Sequence, residues 1–99
     1  MAEFIDSGRL TASGQIFTGY GIIFGFLIGT DGSNDPTVTI YDGTDNTGAE
    51  IIPTTTYDAS ALGLNGAMFG FRKKCEVGCY VEISGSGPVE VIVDYKKLR

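Results

Sequence analysis

The apolar stretch from Ile16 to Thr30 limits the fold of this chain more than any other segment, because two periodicities compete within it. Gly21, Gly25 and Gly29 recur every four residues, as small residues do at close helix contacts, while Tyr20, Ile22, Phe24, Phe26 and Ile28 alternate with period two. As a membrane helix, the 14 residues Ile16 to Gly29 would extend roughly 21 Å at about 1.5 Å per residue, short of a hydrocarbon core near 30 Å. As a strand they place bulky groups on one face and glycines on the other, with Ile23 and Leu27 between them, so a buried strand is expected and no membrane partner. Glycine weakens a strand unless a bend, a bulge or a closely approaching backbone requires it. Gly21, Gly25 and Gly29 therefore either permit curvature or form a face on which a second sheet or a neighbouring subunit packs.

The rest of the chain shares the strand bias. Val, Ile, Thr, Phe and Tyr account for 37 of the 99 residues, against 26 for the helix formers Ala, Leu, Lys, Glu, Met, Gln and Arg. Asp31-Gly32-Ser33-Asn34-Asp35-Pro36 is a dense turn signal, and Thr37 to Tyr41 alternates after it. A second loop, Asp42 to Gly48, leads to a strand over Ala49 to Tyr57, where Pro53 implies an edge or a break. Asp58 to Gly63 fits one helical turn, with Asp58 as N-cap and Gly63 at the C-terminal left-handed position. Ala67 to Cys75 is predicted as a strand with Phe69 and Phe71 on one face, and Cys79 to Ser84 as its hairpin partner. Gly85-Ser86-Gly87-Pro88 turns into a last strand in which Val89, Val91, Val93 and Tyr95 alternate with Glu90, Ile92 and Asp94. Residues 9–18 supply one or two more short strands. The expected fold is all-β: one antiparallel β-sandwich domain spanning residues 1–99, jelly-roll or Ig-like, with about seven to eight short strands, at most one helical turn and short terminal extensions.

Charge and rare residues narrow the chemistry. Twelve acids against seven bases give a net charge of −5, which repels a phosphate backbone, so nucleic acid is not an expected partner. The chain has no His and no Trp, which removes the commonest general base, the commonest metal ligand and the best sugar-stacking ring. Gly19-Tyr20-Gly21 misses the dinucleotide spacing and no Gly-Lys-Ser/Thr loop exists. Asp31, Asp35, Asp42 and Asp45 could hold calcium if their two loops met at one end of the sandwich, but turn formation explains them more simply. Cys75 and Cys79 flank Glu76-Val77-Gly78 closely enough for a disulfide, yet the closed loop is small and two apolar thiols are expected. Neither catalysis nor a cofactor is expected.

Charge is also unevenly distributed. Residues 1–70 carry a net −7 and residues 71–99 a net +2, the bases falling in Arg72-Lys73-Lys74 and Lys96-Lys97-Leu98-Arg99. Clustered surface lysines usually just solvate a protein; the alternative is a docking face for an acidic partner, made of Arg72, Lys73, Lys74, Lys96, Lys97 and Arg99.

Three segments taken together, Gly25-Phe26-Leu27-Ile28-Gly29-Thr30-Asp31-Gly32, Val38-Thr39-Ile40-Tyr41-Asp42-Gly43-Thr44 and Cys75-Glu76-Val77-Gly78-Cys79-Tyr80-Val81-Glu82-Ile83, resemble small virion structural proteins of tailed bacteriophages. The resemblance implies a compact sandwich of the capsid-decoration or head-knob and fibre type. Such a protein is made in the host bacterial cytoplasm, which agrees with the absence of a signal-like start in Met1 to Asp6, and ends in the virion. Its expected partners are further copies of itself, with a trimer favoured, and a phage capsid or other virion protein. Two further functions compete with this one: a carbohydrate-binding sandwich using Tyr41, Tyr57 and the loop acids, and a small membrane-active protein built on Ile16 to Gly29.

Overall fold

The computed structural model describes residues 5–6, 10–62, 67–85 and 89–98. Eight strands follow one another: β1 (Ile5–Asp6), β2 (Gly14–Thr18), β3 (Gly21–Thr30), β4 (Pro36–Asp42), β5 (Ala49–Thr56), β6 (Ala67–Cys75), β7 (Gly78–Gly85) and β8 (Val89–Lys97). A helical turn, α1 (Ala59–Leu62), separates β5 from β6. The strands form two antiparallel sheets, a front sheet ordered β1-β8-β3-β6 and a back sheet ordered β2-β7-β4-β5.

The pairing is nested: β4 with β5, β3 with β6, β2 with β7 and β1 with β8. A long hairpin rolled up on itself has this pattern, and joining β3 to β8 and β4 to β7 completes the sheets of a jelly roll. The sandwich expected from the alternating strands is present, with jelly-roll rather than Ig-like order. Only β4 and β5 are chain neighbours within one sheet; every other connection crosses between sheets. Cys79 to Ser84 is therefore not the hairpin partner of β6. The chain turns at Glu76-Val77 from the front sheet to the back sheet, and β7 pairs with β2 and β4.

Between the sheets lies the core, where Ile23, Ile28, Val38, Ile40, Val81, Val91 and Val93 are fully buried with Phe26, Phe17, Cys75 and Cys79. Branched residues fit this position because they pack well on a pleated surface and lose little extra side-chain freedom there. Pro53 lies on β5, an edge strand, where the register with β4 shifts between Ile52 and Thr55. An edge and a bulge are the two places a sheet tolerates a missing donor. Asp58 caps α1 as expected, its carboxylate accepting from the Ser60 amide at 3.0 Å, while Asp35 accepts from the Ala59 amide at 2.9 Å. Gly63, the side chain of Phe71 and the turn at residues 86–88 lie outside the described residues.

Two expectations for Ile16 to Gly29 need correction. The segment is not one strand: Gly19, with φ at 95°, breaks it, so β2 joins the back sheet and β3 the front. Nor do the bulky residues share a face. A bulge at Phe24 and Gly25 reverses the phase of β3, because Ile23 pairs with Tyr95 but Gly25 with Asp94, leaving Phe24 as an extra residue. Ile23 points inward before the bulge and Phe26 and Ile28 after it; Ile22, Phe24 and Leu27 are left half-buried on the outer face. Gly25 occupies φ 152°, and a Cβ there would stand 2.5 Å from the Phe69 carbonyl oxygen of β6.

The three glycines consequently do three different things. At Gly21 a Cβ would stand 2.5 Å from the Phe17 ring, so the second sheet is what packs closely there. Gly25 serves the bulge. Gly29 has only ordinary contact, with Glu90 at 3.9 Å, and forms no face with the other two.

Candidate docking face

The two basic segments are separated by more than twenty residues, and β3 brings them together. Ile22 of β3 pairs with Lys74 of β6 on one side and Lys96 of β8 on the other, so both ammonium groups occupy one row on the outer face of the front sheet. Arg72 joins them, its guanidinium 5.8 Å from the centre of the Phe24 ring, and the Lys74 ammonium lies 5.2 Å from the centre of the Tyr20 ring. Cations over aromatic faces gain about 0.5 to 1 kcal/mol at exposed sites, which favours one arrangement of otherwise floppy side chains. The next outward row pairs Leu27 with Ile92, and both are half-buried. The face is thus an apolar strip of Ile22, Phe24, Leu27 and Ile92 with cations at one end, and with Asp94 and Glu90 along β8.

Of the six residues expected to dock, Arg72, Lys74 and Lys96 share this face. Lys73 and Lys97 fall in the rows of Ile23 and Gly21, which point toward the core; both emerge to solvent because β6 is an edge strand and Lys97 ends β8. Arg99 lies outside the described residues. Lysines on β6 have a second effect, since charge along an edge strand hinders another chain from adding to the sheet.

At the same end of the sandwich, Val77 is 55% and Leu98 45% exposed. The Leu98 amide donates to the Tyr20 carbonyl at 2.9 Å and the Gly19 amide to the Val77 carbonyl at 2.8 Å, which ties both to the turn between β2 and β3. Reading along the chain could not reveal this convergence, because each cluster is adjacent to β3 only through pairing. The outward placement of Ile22 and Phe24 was equally hidden, since it depends on the bulge.

The loop acids are engaged locally. Asp31 accepts from the amides of Ser33 and Asn34 at 2.9 and 2.8 Å, and those hydrogen bonds hold its carboxyl below the usual range. Asp45 accepts from Thr47. Asp42 receives the amides of Glu76, Val77 and Gly78 at 2.8 to 3.2 Å, clamping the turn that carries the chain from the front sheet to the back. The loop holding Asp31 and Asp35 and the loop holding Asp45 lie at opposite ends of the seven-residue β4, roughly 23 Å apart at about 3.3 Å per residue. They cannot meet around one calcium ion.

The two tyrosines expected to stack on sugar are also occupied. Tyr41 is 7% exposed, with its hydroxyl donating to Glu82 at 3.3 Å; burial, and then the Glu82 charge, push that hydroxyl up. Tyr57 packs on Phe69 and Phe26, with ring centres 5.4 and 6.2 Å away. Among the described residues no helix is long and apolar enough to cross a membrane. No protein-family model, no curated protein and no solved structure matches the chain.

Proposed function

We propose that this protein is a structural component of a phage virion, of the capsid-decoration or head-knob kind, which docks on the shell as a homo-oligomer, with a trimer favoured, and stabilises or extends it. The observation that carries the proposal is the gathering of Arg72, Lys74 and Lys96 onto one partly apolar outer face of a chain that is otherwise acidic. Such a face suits an acidic protein surface, whereas an acidic face would be repelled by one. The jelly roll supports the setting, because it recurs in capsid domains, although a fold by itself assigns no role. Repetition supplies the affinity. Several weak contacts made by one oligomer on a lattice act at high effective concentration and bind more tightly than one copy does.

The test is sedimentation of phage heads lacking the protein after mixing with purified protein. The unmodified chain is expected to pellet with the heads, and the variant R72E/K74E/K96E to stay largely in the supernatant. Equal sedimentation of the variant removes the basic docking face. Failure of the unmodified chain to bind any head or other virion substructure removes the virion proposal itself.

A further inference from the structure

The two outer faces of the sandwich differ in charge: on the front Arg72, Lys74 and Lys96 outnumber Glu90 and Asp94, whereas the strands of the back sheet carry acids and no base. Every Lys and Arg among the described residues, namely Arg72, Lys73, Lys74, Lys96 and Lys97, lies on β6 or β8 of the front sheet. The four strands of the back sheet contain none. Their outer face presents Glu50, paired with Tyr41, and Glu82, which accepts from Tyr41 and from the Asn46 amide at 2.9 Å. Beside these carboxylates stands a row of hydroxyls, Thr37 against Thr56 and Thr39 against Thr54, each pair 2.8 Å apart. The molecule is a plate whose shortest dimension is 18 Å, basic and partly apolar in front, acidic and hydroxyl-lined behind.

We infer that copies of this chain associate front to back, the outer face of β6, β3 and β8 in one protomer meeting the outer face of β7, β4 and β5 in the next. A two-fold contact uses the same patch twice, so a back-to-back dimer would oppose the carboxylates of the two copies, and a front-to-front dimer would leave Glu50 and Glu82 of both unmatched. Front-to-back contact instead brings Arg72, Lys74 and Lys96 to Glu50 and Glu82, and covers Ile22, Phe24, Leu27 and Ile92, which are half-buried in the single chain. Because the two faces lie on opposite sides of the plate, such contacts stack copies in a row, and the copy at one end keeps its basic front face free for an acidic shell surface. The inference rests on the homo-oligomer in the proposed function, and because it is tested on the purified chain alone, its failure is separable from failure to bind heads.

The experiment is analytical ultracentrifugation of the full chain at about 0.1 mM, in about 0.05 M and about 0.5 M sodium chloride. Self-association is expected at low salt and should weaken at high salt. A front-reversed variant, K74E/K96E, and a back-reversed variant, E50K/E82K, should each weaken association by about tenfold or more. Mixing the two should restore it, because each then offers the charge the other lacks. Circular dichroism checks that both retain strand structure, and E50K alone, at an exposed position, replaces the double variant if that one unfolds. A monomeric wild-type chain at low salt, assembly of the back-reversed variant at wild-type strength, or failure of two folded variants to rescue one another would each overturn the inference.

Discussion

Replacing Gly25 with alanine tests the bulge that decides which side chains of β3 face outward. The new Cβ would lie 2.5 Å from the Phe69 carbonyl oxygen and 3.2 Å from the Gly70 Cα, both backbone atoms of a paired strand, so no flexible side chain can swing away. A non-glycine residue at φ 152° adds strain of about 1 to 3 kcal/mol, and overpacking costs another 1 to 3 kcal/mol or so, the two overlapping because one shift of β6 relieves both. Against this, alanine restricts the unfolded chain and returns about 0.4 to 1 kcal/mol. The net expectation is a loss of about 2 to 3 kcal/mol, equivalent to about 10 °C in Tm for a domain of this size. Neighbouring glycines are the controls. A Cβ at Gly70 meets nothing within 4 Å and one at Gly29 nothing closer than 3.9 Å, so both alanine variants should be neutral or gain up to about 0.5 kcal/mol. Gly21→Ala should fall between, because the Phe17 ring it meets is held against Tyr95 with centres 5.0 Å apart. Thermal and urea unfolding followed by circular dichroism measures all four. If Gly25→Ala proves as stable as the wild type, the local geometry is set by something other than Gly25 and the argument for the outward face fails with it.

Asp42→Ala leaves the amides of Glu76, Val77 and Gly78 without their acceptor and should cost about 2 kcal/mol in urea unfolding at neutral pH. Burial pushes the Asp42 carboxyl up, but the three amides outweigh it and hold it below the usual carboxylate range. That stabilisation is complete above the unfolded value near pH 4 and disappears as pH falls through the folded value, so the wild type should lose stability on acidification more steeply than the variant. Cys75 and Cys79 are both free and fully buried, and the hydrogen bond that the Cys79 thiol makes to Cys75, together with burial, pushes that thiol up. A disulfide reagent at pH 8 should therefore label neither thiol in the native protein and both in urea; rapid native labelling would refute this packing.

Where local pattern and pairing agree, residue order alone is informative. β6 runs from Ala67 to Cys75 as expected, β8 keeps Val89, Val91 and Val93 inside, Pro53 sits on an edge and Asp58 caps its turn. The failures have one physical source, partners far away in sequence. Three residues between Cys75 and Cys79 look like a hairpin loop, but a chain that crosses between layers needs no more. Alternation in β3 predicts one outward set until an inserted residue at Phe24 exchanges inside for outside. For the candidate face the charges were visible as two clusters, whereas their meeting across Ile22 required the register.

Nested pairing also has a kinetic consequence. Joining β4 to β5 closes only the loop at residues 43–48, while pairing Asp6 with Asp94 directly would close 87 residues, roughly 2 kcal/mol more costly in chain entropy. Once the innermost ladder exists, each further ladder closes only a short additional segment, so the cheapest route zips outward from β4 and β5 to β3 and β6, then β2 and β7, and last β1 and β8. Lengthening the 43–48 loop should therefore slow folding, and weakening β1 should chiefly hasten unfolding, since its contacts form after the barrier is crossed.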